Sequence, residues 1–340
     1  MSARFLKCVV AGLGALALSC STVRRLPIPN TAGELFQAAE TVVDVAVDTS
    51  ECKKLAATPS VEEEYALGGA VALNWVQRGG GLLGSSAEAK LARYINVVGR
   101  NLGAQSPRPT LRWTFGVLRT TESFNAVSSP GGYAFVTLGL LRGVENEAQL
   151  AGVLAHEIAH ITSKHALQRY GEVKVGQCQL AVALRAGKKL VSQEHLFLSG
   201  SAMEQLFSFL KGSNGTFDLD QHVELLGGLA DASVDNLMKK GFGQEDEFAA
   251  DEQAVRMLMS AGYDPREYIK FLGKLPDSSS SFSNHPSKKV RAERLEKLLK
   301  NANSSGEGFP ELPANPELWV QPPLPPEFAA VKGTVARGKQ

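Results

Sequence analysis

The five residues His156-Glu157-Ile158-Ala159-His160 constrain this chain more than any other part of its 340-residue sequence. Apolar residues around them, such as Leu150 and Leu154, recur at helical spacing. Two histidines four apart on a helix lie on one face, so both imidazoles can bind a single ion. The glutamate between them can then take a proton from a water on that ion. The motif therefore predicts an active-site helix of the kind found in zinc peptidases.

The motif also has an ordinary interpretation, an amphipathic helix with two surface histidines and a solvated glutamate. The chain holds only six histidines, so a chance occurrence is expected about once in a hundred such sequences. A catalytic zinc needs three protein ligands and an open position for water. The motif supplies two ligands, and the third has to come from elsewhere.

His165 is the nearest candidate for the third ligand, and its spacing argues against it. No Gly or Pro interrupts the sequence from Val153 to Tyr170, so we expect a continuous helix there. On such a helix His165 lies about 140° around the axis from His160. Motifs with a closely following third histidine have a glycine where this chain has Ser163. We therefore interpret His165 as a residue of the helix face.

A second helical segment, which begins near residue 244, offers two carboxylates. Glu247 and Asp251 are four apart and share a face. One can bind the metal while the other accepts the outer N–H of a ligand histidine. Spacing alone does not choose Glu247 among its acidic neighbours, and an acidic solvated face is the interpretation we prefer for Glu245, Asp246 and Glu252.

Several ordered blocks resemble the gluzincin metallopeptidases of peptidase family M48, the group of HtpX, the CAAX prenyl proteases and the BepA-like periplasmic proteases. The resemblance is to a lipoprotein-type bacterial member and covers roughly residues 61 to 298. The matching blocks are residues 61–68, residues 94–102, Asn125-Ala126 with residues 130–141, the His156 motif, Glu247 to Asp251, and Asn284-His285-Pro286 with Arg291.

This resemblance implies a zincin-like fold, α+β and mainly helical, with a small β-sheet and an active-site helix. It implies one Zn²⁺ held by His156, His160 and Glu247. It also places His285 near the metal, where it would steady an oxyanion or cap the resting zinc. Asp251 would orient a ligand histidine, His156 first. Arg291 is either a carboxylate clamp or one of the charges of its helix.

Two strands are predicted, in residues 111–118 and 133–137, with a turn rich in Ser, Pro and Gly over residues 125–132. Extended peptides bind proteases by adding a strand to an exposed edge. We expect Asn125, Ala126 and the strand of Phe135 to bind substrate in this way. The alternative is an internal strand with a covered edge.

The N-terminus resembles a bacterial export signal. Arg4 and Lys7 precede an apolar run over residues 8–18, too short to span a membrane. Residues 16–20 resemble a lipobox with Cys20 as the lipidated residue, and simple signal-peptidase cleavage is the alternative. We therefore expect a periplasm-facing protein, lipid-anchored to the outer membrane or otherwise soluble in the periplasm.

The expected organisation is a signal peptide (1–19), a tether with a first helix (20–60), a metallopeptidase domain (61–300) and a proline-rich tail (301–340) in which Trp319 contacts the body. A helical insertion of about residues 172–240 interrupts the domain. Cys52 and Cys178 could pair in an oxidising compartment, but nothing in the sequence brings them together.

The favoured function is a zinc endopeptidase that cleaves unfolded or misassembled polypeptides in the cell envelope. The alternatives are a chaperone or assembly factor with a latent site, and a zinc hydrolase acting on another bond such as cell-wall peptide. Envelope assembly proteins are possible partners. A net charge of +1 with 21% charged residues gives no indication of nucleic-acid binding.

Overall fold

The computed structural model describes residues 52–53, 59–84, 88–186, 223–275, 287–305 and 316–333. The chain divides into two compact units, one of Met1–Leu55 with Val175–Leu196 and one of Ala56–Lys174 with Phe197–Gln340. Cys20, His285 and the predicted first helix lie outside the described residues, as do residues 187–222 of the proposed insertion.

The described part of the chain is mainly helical, with one three-stranded sheet. This confirms the predicted α+β fold class. The helices are α1 (Val61–Arg78), α2 (Ala89–Ala104), α3 (Leu138–Gly143), α4 (Glu147–Thr162), α5 (His165–Ala186), α6 (Val223–Lys240), α7 (Gln244–Ser260), α8 (Pro265–Leu272), α9 (Lys288–Ser305) and α10 (Glu327–Gly333). The strands are β1 (Thr114–Leu118), β2 (Ala126–Ser129) and β3 (Tyr133–Thr137).

The sheet has the order β1-β3-β2, with β1 parallel and β2 antiparallel to β3. Phe135 on β3 stands between Gly116 and Val127. The expectation that the strand of Phe135 is an edge strand is therefore wrong, and β2 forms that edge of the described sheet. The predicted turn over residues 125–132 was also too long, because its first half pairs with β3 as β2.

Helix α4 forms the centre of the larger unit. The side chain of Asn146 caps it by accepting a hydrogen bond from the backbone N–H of Gln149 at 2.9 Å. Leu150, Leu154 and Ile158 are fully buried, and α2, α7, α8 and β2 pack around the helix. The surrounding core fixes α4 in place, so any side chain it carries is held rigidly.

The predicted continuous helix from Val153 to Tyr170 is wrong. Helix α4 ends at Thr162 and α5 begins at His165. Between them Lys164 has a φ of 60°, a left-handed conformation that few residues other than glycine adopt. This turn changes the chain direction without the Gly or Pro that would have marked it in the sequence.

The C-terminal segment, residues 316–333, lies against the beginning of α4. Val320 and Pro323 form isolated bridges with Tyr263 and Asn146, and the backbone N–H of Glu147 donates to the carbonyl of Pro322 at 2.8 Å. The Trp319 ring lies 5.5 Å from the guanidinium of Arg266. Residues 319–325 are extended, as their prolines suggest, but the 3-10 turn Pro316–Leu318 precedes them and the short helix α10 follows them.

In the smaller unit Cys52 and Cys178 form a disulfide, with their Cα atoms 5.6 Å apart. The two cysteines are 126 residues apart in the sequence, which explains why no local pattern could pair them. Among the described residues, none of the helices combines the length and the apolar character needed to cross a bilayer.

Candidate metal centre

Helices α4 and α7 bring two imidazoles and one carboxylate together. The Nε2 atoms of His156 and His160 lie 3.0 Å apart. The carboxylate of Glu247 lies 3.5 Å from the first of these nitrogens and 3.6 Å from the second. His160 and Glu247 are almost fully buried, whereas the His156 side chain remains 12% exposed. The group is therefore buried, and His156 is its most exposed member.

These three groups fit a zinc ion. Zinc bonds of about 2.0–2.2 Å in a tetrahedral arrangement separate neighbouring ligand atoms by roughly 3.4 Å, close to the separations found here. Two imidazole nitrogens with a carboxylate are also a common ligand set for catalytic zinc. Among the described residues, His156, His160 and Glu247 form the only group of three His, Cys, Asp or Glu side chains whose ligand atoms lie close enough to share an ion.

The outer nitrogen of His156 faces a buried carboxylate. Its Nδ1 lies 3.0 Å from Asp251, which also accepts hydrogen bonds from Arg291 at 2.7 and 2.6 Å and from the Tyr268 hydroxyl at 2.7 Å. Burial would raise the pKa of the Asp251 carboxyl, but the charge and hydrogen bonds of Arg291 hold it well below its usual range. Asp251 is thus a carboxylate anion behind His156.

The two histidines of the motif have opposite electrostatic surroundings. Burial would lower the pKa of His156, but its hydrogen bonds to Asp251 and Glu247 raise it to about 9. Burial and the neighbouring His156 hold the pKa of His160 well below its usual value. His160 is therefore neutral near pH 7, the form in which an imidazole donates a lone pair to a metal.

Glu157 follows His156 on α4, and its side chain is buried, 7% exposed. Burial raises the pKa of its carboxyl, against the opposing effect of His156. A carboxylate with a raised pKa holds a transferred proton more readily than an exposed one. The Glu157 carboxyl lies near enough to His156 and Glu247 for their charges to act on its pKa.

The other predicted site residues are distributed unevenly. Arg291 reaches the centre from α9 and lies 3.5 Å from Glu247. Asn125 and Ala126, at the start of β2, are partly exposed, and the backbone of Asn125 pairs with Thr137. Phe135 is buried in the central strand at 3% exposure, so it does not line an open edge.

Three further side chains lie at the centre, and the sequence placed none of them there. His165 is buried against His160, and Phe242 stacks on the His160 ring with centroids 4.1 Å apart. Tyr268 donates to Asp251. No spacing in the sequence links Phe242 or Tyr268 to the motif, because they lie in other parts of the chain. His165 was visible, but the turn at Lys164 that brings it back to His160 was not.

Residues 85–299 match the sequence profile of peptidase family M48. A beta-barrel assembly-enhancing protease of Yersinia pestis is 30% identical over 196 residues, which cover 58% of this chain and 35% of that protein. The protein of the same name from Escherichia coli K12 is 28% identical with the same coverage. The mitochondrial metalloendopeptidase OMA1 of Schizosaccharomyces pombe is 26% identical over 217 residues, or 62% of this chain and 53% of that one.

The chain thus spans 35% of the length of the two bacterial relatives and 53% of the fission-yeast relative. The profile match contains both motif histidines, Glu157, Glu247, Asp251 and Arg291. The family profile therefore covers the part of this chain that carries the two-helix centre.

Proposed function

Because the chain belongs to peptidase family M48, we propose that it is a zinc-dependent endopeptidase whose metal is held by His156, His160 and Glu247. The convergence of these side chains from α4 and α7, with ligand atoms spaced for tetrahedral zinc, is the observation that supports it. A bound zinc ion would polarise the scissile carbonyl and make water a stronger nucleophile near neutral pH.

In this proposal Glu157 takes a proton from the attacking water and passes it to the leaving nitrogen. Asp251 keeps the proton of His156 on Nδ1, which leaves the Nε2 lone pair directed at the centre. Arg291 in turn holds Asp251 in place. His285 stays a candidate for the oxyanion, with its position outside the described residues.

We place the polypeptide substrate along β2. This strand pairs with β3 on one side and packs against α4, the helix of His156. An extended substrate added to its other side would bring a peptide bond past the motif, with Asn125 and Ala126 at the start of the strand. Pairing through the backbone depends little on the side chains of the substrate, so it suits unfolded chains of varied sequence.

The substrates we propose are unfolded or misassembled proteins of the bacterial envelope, and the names of the bacterial relatives support this choice. The N-terminal signal and Cys20 support a periplasm-facing protein with a lipid anchor in the outer membrane. Envelope assembly proteins are then the proposed partners. From the sequence we also propose a metallopeptidase domain of residues 61–300, with a helical insertion of about residues 172–240.

The decisive variant is Glu157→Gln, which keeps the shape of the side chain and removes the base. We expect it to bind one equivalent of zinc like the wild type while losing at least about a thousandfold in cleavage of unfolded casein. A chelator should abolish wild-type cleavage and added zinc should restore it. Unchanged turnover by Glu157→Gln would reject the proposed role.

Glu172→Gln is the matched control, because Glu172 is an exposed glutamate on α5 with a side chain 60% exposed. It should cleave casein at the wild-type rate. If the wild type bound no zinc under these conditions, the zinc peptidase itself would be disproved and not just the role of Glu157.

A further inference from the structure

His160 has a nitrogen that the proposed zinc chemistry does not use. Its Nε2 faces His156 and Glu247, while its Nδ1 lies 2.8 Å from Nδ1 of His165. The two rings stand nearly edge to face, with centroids 5.0 Å apart and planes at 71°. His165 is 6% exposed. A buried pair of nitrogens at this separation requires one to donate and the other to accept.

The donor and the acceptor follow from the tautomer of His160. A neutral imidazole that gives its Nε2 lone pair to a metal carries its proton on Nδ1. That proton points at His165, so Nδ1 of His165 must accept it, and the proton of His165 lies on Nε2. We propose, on the basis of the zinc site proposed above, that His165 is a positioning residue that fixes the tautomer and ring orientation of His160 by accepting its Nδ1–H.

The turn between α4 and α5 brings His165 close to His160. The left-handed turn at Lys164 ends α4 and starts α5, so that His165 folds back onto the helix of His160. Without the turn a continuous helix would carry His165 about 140° away from His160. Phe242 stacks on the face of the His160 ring, with planes at 19°. The ring is thus held on one face and at one edge.

The other ring nitrogen of His165, Nε2, faces a carboxylate. Its Nε2 lies 3.8 Å from the carboxylate of Asp246, and Arg169 approaches the same carboxylate at 4.0 Å. An N–H on Nε2 therefore faces negative charge, as the proposed tautomer requires. Asp246 also accepts a hydrogen bond from the backbone N–H of Gly243 at 3.1 Å, which fixes it at the start of α7.

The two motif histidines then have unlike outer partners. The Nδ1 of His156 lies 3.0 Å from the anion Asp251, whereas the Nδ1 of His160 faces a neutral ring. An anionic acceptor increases the basicity of a ligand imidazole more than a neutral one does. Outer partners of ligand histidines commonly change metal affinity by about 10–100-fold when removed, and we expect His165 to have an effect within this range.

The test compares three variants in the full chain. His165→Phe keeps a ring of similar size and removes the acceptor, His165→Ala removes both, and His165→Asn places an amide oxygen near the position of Nδ1. Zinc affinity is measured by competition with a chromophoric chelator, and the absorption spectrum of the cobalt-substituted protein reports the geometry of the ligands. Gln168→Ala, exposed one turn along α5, is the control.

We expect His165→Phe and His165→Ala to weaken zinc binding by about 10-fold or more and to alter the cobalt spectrum. His165→Asn should recover most of the affinity, and Gln168→Ala should match the wild type. If His165→Phe binds zinc as the wild type does, or if His165→Asn binds as weakly as His165→Ala, the inference is wrong. Should the Phe and Ala variants fail to fold, the Asn variant alone decides by retaining or losing the wild-type spectrum. A wild type that binds no zinc would instead remove the proposed site.

Discussion

At the residue scale, Arg291 balances the buried charge behind the metal centre. It is 7% exposed, holds Asp251 through two hydrogen bonds and lies 3.5 Å from Glu247. Two carboxylates buried this closely would repel each other without a cation between them. The sequence left Arg291 open as a clamp or a helix charge, and its contacts favour the clamp.

We predict that Arg291→Met destabilises the metal-free protein by about 3–5 kcal/mol, because it leaves a buried carboxylate without its cation. Urea unfolding of the metal-free protein measures the loss. The double variant with Asp251→Asn should recover part of it, since the uncompensated charge is then gone. Additive losses in the double variant would show that the pair is not coupled.

The candidate site could be predicted from the sequence where its residues share a helix. A spacing of four puts the motif histidines on one helix face, and it also pairs Glu247 with Asp251. Spacing did not choose Glu247 among its acidic neighbours, and that choice came from the resemblance to the family. His165 could not be placed, because a single backbone angle at Lys164 decides whether it points away from His160 or against it. No residue preference marks a lysine for that conformation.

At the element scale, α1 packs directly against the turn that connects β2 to β3. A Cβ added to Gly68 would lie 2.0 Å from the carbonyl oxygen of Pro130, whereas one added to the neighbouring Gly69 would meet nothing within 4 Å. Glu64, one turn earlier, accepts a hydrogen bond from the backbone of Gly131 at 3.3 Å. Helix and turn are thus fitted to each other at the backbone.

We predict that Gly68→Ala costs about 1–3 kcal/mol of stability by pushing α1 from this turn. Gly69→Ala, on the same helix, should gain up to about 1 kcal/mol through helix propensity. Urea unfolding of both variants measures the contrast. Equal effects of the two substitutions would show that the close approach at Pro130 does not constrain the packing.

Asp264 links α8 to the C-terminal segment. Its carboxylate caps α8 through the backbone of Arg266 at 2.9 Å and accepts from Gln321 at 2.7 Å. Burial acts to raise the pKa of Asp264, but the hydrogen bonds from Arg266 and Gln321 lower it below the usual value. The folded state therefore binds this proton more weakly than the unfolded chain does.

The stability from Asp264 is consequently complete above its unfolded pKa of about 4 and is lost as the pH falls through the lower folded value. We predict that Asp264→Asn destabilises the protein at pH 7 and reduces the further loss between pH 4 and pH 2. Urea midpoints across this range measure it. Glu245→Gln, exposed on α7, is the control and should keep the wild-type profile.

The sheet shows where prediction by element succeeds. Tyr133–Thr137 was predicted with its observed bounds, because a short run rich in aromatic and β-branched residues marks a strand. Its neighbour β2 was taken for a turn, since Ser128, Ser129 and the following Pro and Gly are typical of turns. Its pairing with β3 makes this segment a strand, and no local sequence pattern indicates that pairing.

At the scale of the whole molecule, the disulfide between Cys52 and Cys178 closes a covalent loop with a sequence separation of 126 residues. Such a loop restricts the unfolded chain, and its removal typically costs about 2–5 kcal/mol. We predict this loss for Cys52→Ser, measured by urea unfolding. Cys178→Ser and the double variant should show the same loss, because each removes the same bond, and a wild type insensitive to reduction would contradict the prediction.

The contact between the C-terminal segment and the start of α4 determines when this part of the fold can form. The carbonyl that receives the first N–H of α4 belongs to Pro322, which the ribosome adds long after the helix itself. A growing chain therefore carries the whole His156 motif while the partner for the start of its helix is still missing. That hydrogen bond can form only after Pro322 has been made.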